Sequence, residues 1–141
     1  MALGRWLRSF FKDDEPEHLR RGRLGERAAR RHLQRCGLKF LTANHKARGG
    51  EIDLVFRDEQ CLVFVEVKTR SDESWTTPAD AVDAGKRRRL SVAALDYLRR
   101  LKGRPVDFRF DIVEVLWREG GAGEVRHWPN AFELDNNYRY D

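Results

Sequence analysis

Gly50-Glu51-Ile52-Asp53-Leu54-Val55-Phe56 is followed by the polar stretch Arg57-Asp58-Glu59-Gln60 and then by Cys61-Leu62-Val63-Phe64-Val65-Glu66-Val67-Lys68-Thr69. Two β-rich segments joined by a short polar connection read as a hairpin. Alternate residues of a strand share a face, so Glu66 projects with Lys68, and Asp53 with Glu51 and Val55. With this connection Asp53 falls opposite Glu66 or diagonal to it, and the two carboxylates converge. A slip of one residue would send them to opposite faces. The approach over residues 61–65 is wholly apolar, and a carboxylate set next to so apolar a run needs a physical reason.

Two carboxylates held close repel each other, and burial disfavours their ionised forms, so such a pair calls for a cation or a shared proton. Oxygen ligands suit Mg²⁺ or Mn²⁺, which bind through one or two carboxylates, a backbone carbonyl and waters. A cation of this kind acidifies a water and stabilises a phosphodiester under attack. Lys68, one alternation beyond Glu66, is placed to steer that water or to offset developing negative charge. The bland alternative is a solvent-facing strand on which Glu66 and Lys68 form an ordinary surface pair of little energetic weight.

Working outward, a helix is expected over residues 24–36, stopped by Gly37. Ala28, Ala29, Leu33 and Cys36 form its apolar arc, with Glu26 at the edge and the arginines opposite. Residues 38–42 suit a first strand, and Arg48-Gly49-Gly50 a turn. Thr77-Pro78 has the residue types of a helix start. Leu90, Ala93, Ala94, Tyr97, Leu98 and Leu101 then form a helical stripe whose backward projection turns Lys86 inward, unless Gly85 breaks the helix. Strands follow over 106–116 and around 125–128, and the polar end over 136–141 reads as frayed. Leu3, Trp6, Leu7, Phe10 and Phe11 make a short amphipathic helix over residues 2–11, beside Arg5, Arg8 and Lys12. It suits an anionic membrane, a protein partner or its own domain. The expected organisation is an N-terminal extension and linker over 1–22, one α/β domain over 23–132 and a tail over 133–141.

Of the 141 residues 40% are apolar and 36% charged, which fits a globular chain and excludes wholesale disorder. The longest apolar run, 61–65, is far short of the about 20 residues that cross a bilayer, and no secretory signal is evident, so a soluble, unprocessed, cytoplasmic protein is expected. Cys36 and Cys61 lack zinc-site spacing and are expected to be reduced core residues. The net charge of +5 favours a polyanionic partner. Arginines and lysines crowd residues 20–35 and 86–89, and Arg27, Arg30, Arg48, Lys86 and Arg87 are the candidate nucleic-acid contacts. Asp111 reads as a structural hydrogen-bonding group, His45 as a loop histidine, and Trp75 as core or base-stacking.

Gly25-Glu26, Gly50-Glu51-Ile52-Asp53-Leu54 and Val65-Glu66-Val67-Lys68 resemble the three motifs of the YraN-like bacterial proteins, predicted endonucleases of the PD-(D/E)xK superfamily. The resemblance covers about residues 22–132. It implies a restriction-endonuclease-like mixed β-sheet flanked by helices, shared with Holliday-junction resolvases. It implies Asp53, Glu66 and the Val67 carbonyl as ligands of Mg²⁺ or Mn²⁺, Lys68 in water activation, and Glu26 as an accessory carboxylate. Ile52 stands where the superfamily name has proline, as is usual in the resolvase-like branch. The expected activity is metal-dependent hydrolysis of DNA, selective for branched structure. The competing readings are a nucleic-acid-binding module with little turnover and an adaptor docked through the N-terminal helix. A homodimer is compatible with each.

Overall fold

The computed structural model describes residues 15–71, 82–135 and 137–138. Along the chain run α1 (Glu17–Arg35), β1 (Lys39–Ala47), β2 (Gly50–Asp58), β3 (Cys61–Arg70), α2 (Ala84–Arg99), β4 (Asp107–Arg118) and β5 (Gly121–Phe132). The expected helix over 2–11, Trp75, and the Thr77-Pro78 start lie outside the described residues.

The five strands form one sheet in sequence order, β1-β2-β3-β4-β5. Every neighbouring pair is antiparallel except β3 with β4. A parallel pair needs a crossover rather than a hairpin, and α2 lies within it. Alternation along the central strands gives both faces an apolar layer. Leu54, Phe56, Val63, Val65, Val113 and Val115 pack under Ala29 and Leu33 of α1. Val55, Phe64, Phe110, Ile112 and Phe132 pack under Leu90, Ala93, Ala94 and Leu98 of α2. A mixed sheet with one helix on each face is the restriction-endonuclease-like architecture the motifs implied.

Several elements differ from their sequence expectation. Residues 17–22 are helix rather than linker: Pro16 stands at the N-cap of α1 and Glu17 supplies an acidic first turn, so the proline starts a helix instead of merely ending a pattern. Because α1 closes at Arg35, Cys36 falls at the cap and is exposed, while Cys61 is half-buried; both are free thiols, and neither is fully in the core. Gly37, with φ of 93°, takes the left-handed position expected of it. The hairpin turn is tighter than the polar stretch predicted, since Asp58 pairs with Cys61 and only Glu59-Gln60 connect. Gly85 sits in the first turn of α2, and the helix is capped by Asp83, whose Oδ1 accepts the Lys86 N–H at 2.8 Å. β1 continues to Ala47, which puts His45 on a strand, where its Nε2 lies 2.9 Å from Asp96 Oδ2 on α2.

Asp111 holds the outer strands together. It is fully buried, and its carboxylate accepts from His127 Nε2 at 2.6 Å, from Arg109 Nε at 3.0 Å and from the Asn130 N–H at 2.9 Å. The structural reading of this residue is the right one.

Candidate functional site

The β2–β3 ladder runs from Asp58↔Cys61 to Leu54↔Val65 and stops. Extended by one step, the same register sets Asp53 opposite Glu66, the alignment in which both carboxylates share a face. Beyond that point β3 stays with β4 as far as Arg70↔Leu116, while β2 stays with β1 as far as Gly50↔Ala47, so the two strands fork. In the fork Asp53 Oδ2 accepts the Val67 N–H at 2.8 Å, a side chain standing in for the missing ladder. Alternation breaks at the same residue. Ile52 joins Val55 in the α2-side core, whereas Leu54 and Phe56 lie in the α1-side core. Across the sheet Asn44, between the Ala43↔Leu54 and His45↔Ile52 pairs, has φ of 53°, a left-handed conformation asparagine tolerates better than most residues.

Two motif glycines bring the helices against this fork. A Cβ on Gly25 would stand 2.0 Å from Thr69 Oγ1, and one on Gly50 would stand 2.0 Å from the Arg89 carbonyl oxygen. Only glycine permits such approaches. The second obstacle is helix backbone and cannot rotate aside. Gly50→Ala is therefore expected to destabilise the fold by about 1–3 kcal/mol, measured by urea denaturation; an unchanged midpoint would contradict this packing.

The site's charges are poorly solvated. Glu66 is only 6% exposed, and its Oε1 is paired with Lys86 Nζ. Burial, the Glu66 charge and the nearby Glu26 together push the Asp53 carboxyl up to about 8, although the Val67 N–H pulls the other way. Asp53 and Glu66 also hydrogen-bond to each other, which requires a proton between them. Glu26 on α1 is likewise raised, first by burial and then by Glu51, against a hydrogen bond from Asn44. Burial lowers the Lys68 ammonium, and Lys86 lowers it further through a hydrogen bond and its charge. Lys86 goes the other way: burial opposes its charge, but its bonds to Glu66 and Lys68 raise it. The two lysines are thus pushed in opposite directions, Lys86 toward keeping its proton and Lys68 toward giving it up more readily.

This donor set fits a hard divalent cation. Asp53 and Glu66 offer oxygens whose mutual repulsion a cation would relieve. Among the described residues no three His, Cys, Asp or Glu side chains gather into a cage, so a bound ion would keep several waters, as Mg²⁺ does. Val67 is in contact through its N–H.

Two cavities of about 550 Å³ meet at Asp53 and Glu66. The one beside α1 is lined by His18, Arg21, Gly22 and Glu26, with Val67, Thr69, Arg70 and Ser71 from β3 and its end. The one beside α2 is lined by Lys46, Gly50, Glu51, Lys86 and Arg89. Glu26, Asp53, Glu66 and Lys86 are therefore brought together; Lys68 lines neither cavity and joins them through its hydrogen bond with Lys86 and the nearby Glu66 charge. The remaining candidates are not: Arg27, Arg30 and Arg48 are exposed, Arg30 lying 3.5 Å from the Phe40 ring centroid, and Arg87 stands over Phe132 at 5.9 Å. Sequence reasoning missed His18, Arg21, Lys46, Arg70 and Arg89. His18 and Gly22 precede Glu26 at steps of four, a helical face that the supposed linker concealed.

The profile of the Uncharacterised protein family UPF0102 matches residues 25–115. The chain belongs to the UPF0102 family. This is the YraN-like family whose motifs the sequence resembles. Its UPF0102 relatives include a protein of Pelobacter propionicus, 41% identical over 121 residues, covering 84% of this chain and 86% of the relative. A relative from Geobacter metallireducens is 42% identical over 113 residues (80% and 92% covered). One from Symbiobacterium thermophilum is 45% identical over 111 residues (79% and 94% covered). The profile begins at Gly25 and encloses the Gly25-Glu26, Asp53 and Glu66/Lys68 motifs, so the UPF0102 profile spans the whole fork. No described helix of this family member is long and apolar enough to cross a membrane.

Proposed function

We propose that this UPF0102 chain is a cytoplasmic, Mg²⁺- or Mn²⁺-dependent endonuclease that hydrolyses DNA phosphodiester bonds, with branched or junction DNA as the preferred form. The observation that carries the reading is the Asp53–Glu66 pair, hydrogen-bonded to each other just beyond the last β2–β3 ladder pair and starved of solvent, with the Lys68 ammonium lowered by burial and by Lys86 close by. A structural ion pair has no use for such strain, whereas perturbed, mutually coupled groups in a cleft are characteristic of catalytic sites.

Asp53, Glu66 and the Val67 carbonyl would hold the cation, which when bound supplies charge stabilisation to the phosphate and a more acidic water. Lys68 accepts the proton of the attacking water and then, as an ammonium, faces the charge that builds on the phosphoryl oxygens. Lys86 holds Glu66 from α2 and, after burial, is the main influence that lowers the Lys68 ammonium. Glu26, bonded to Asn44 and half-buried, orients water at the rim. The scissile strand lies across the fork, with one cavity on each side.

The test is cleavage of single-stranded, duplex, flap and four-way-junction DNA with Mn²⁺ or EDTA, comparing wild type with Lys68→Ala. Cleavage is expected only with Mn²⁺, and to fall about 10²–10³-fold in the variant. Cleavage indifferent to both EDTA and Lys68→Ala would sink the proposal. Binding without cleavage of any substrate would favour a binding module instead.

A further inference from the structure

The α1-side cavity is lined by side chains of both signs. Its lining includes the acids Glu26, Asp53 and Glu66 together with Arg21, Arg70, His18 and Ser71. The arginines are held in place from β4. The Arg21 guanidinium stands 5.7 Å from the Trp117 ring centroid. Arg70 Nε lies 3.2 Å from Oε2 of the fully buried Glu114, whose Oε1 accepts the Trp128 Nε1–H at 3.1 Å. Arg21 Nε is buried and, among the described residues, has no hydrogen-bond partner, whereas Arg70 spends its Nε on Glu114. Two guanidinium groups fixed from β4 and lining one cavity suit a multidentate anion, and phosphate is the anion a guanidinium fork fits best. The volume is in the range that takes a nucleotide-sized ligand.

We propose that this cavity is a phosphate subsite, in which Arg21 and Arg70, with the Ser71 hydroxyl, grip the backbone phosphate of the nucleotide flanking the cleaved one. The assignment rests on the nuclease reading for the identity of the strand. The segment 17–22 of α1 is thereby part of the binding machinery rather than a tether.

Fluorescence anisotropy of a labelled single-stranded DNA oligonucleotide with the full chain in EDTA, over a range of salt concentrations, tests this without cation or cleavage. Arg21→Ala is expected to weaken binding about tenfold and to reduce the slope of log K against log salt by about 0.7, the loss of one phosphate contact to a single strand. Ser71→Asp, at an exposed position outside both cores, is expected to weaken binding comparably by placing a carboxylate against the phosphate. Wild-type affinity and slope in either variant would overturn the subsite, as would failure of the wild type to bind. Failure to cleave any substrate, with both variants still weakened in binding, would instead overturn the nuclease reading and leave the subsite standing.

Discussion

Asp53→Asn is expected to reduce Mn²⁺-dependent cleavage by about 10³-fold or more and, in EDTA, to make the protein more stable. The two effects have one origin. The carboxyl is pushed up to about 8 by burial and by Glu66, against about 3.9 in an unfolded chain. An acid whose folded value is raised favours folding fully below the unfolded value and loses that contribution as pH rises toward the folded value. In EDTA the wild type should therefore lose stability steadily between about pH 4 and pH 8, while Asp53→Asn stays flat over that window. The full shift at about 1.4 kcal/mol per unit is an upper bound, because the carboxylate keeps some contact with water and Lys86 stands close by. A gain of roughly 1–3 kcal/mol at pH 8 is the expected size. Denaturant midpoints at several pH values measure it. A variant less stable than wild type at pH 8 would mean that Asp53 is a structural residue.

Asp111→Ala is expected to do the reverse, leaving the chemistry of the fork alone and costing about 3–5 kcal/mol of stability. At roughly 3–4 °C per kcal/mol for a chain of this size, Tm should fall by about 10 °C or more. Burial by itself would raise this carboxyl, but His127, the Asn130 N–H and Arg109 outweigh it and hold the group below the ordinary carboxylate range. The stability it confers is thus complete above about pH 4 and is lost as pH falls through its depressed folded value. Below pH 4 the wild type should lose stability with a slope that Asp111→Ala lacks. Thermal melts at pH 7 and pH 3 check both statements. A Tm change under about 3 °C at pH 7 would mean that the network contributes little.

The centre of the molecule was legible in the sequence because it follows short-range rules. Period-two patterning and a short polar connection placed Asp53 opposite or diagonal to Glu66, although the strand's alternation breaks at Asp53 itself, and the stripe from Leu90 to Leu101 turned Lys86 toward Glu66. What escaped reading depends on long-range geometry. Nothing local says that the ladder ends at Leu54↔Val65, that Gly25 and Gly50 are required by Thr69 and Arg89, or that Arg70 finds a buried carboxylate on β4. Pro16 and the acidic residues before it look like a break, although a proline is equally at home at a helix start. That ambiguity hid the first two turns of α1 and with them His18 and Arg21. Arg87 and Arg30 were chosen by charge density alone, and their aromatic partners Phe132 and Phe40 are distant enough in sequence to be invisible there.

The most direct test of the centre is calorimetric titration of Mn²⁺ into the wild-type chain and into Glu66→Ala at neutral pH, with circular dichroism confirming that both are folded. The wild type should bind one equivalent and release protons on doing so, because the proton shared by Asp53 and Glu66 must leave. Glu66→Ala should bind at least about tenfold more weakly. No Mn²⁺ binding by the wild type, or equal affinity in the two proteins, would contradict a metal centre at the fork.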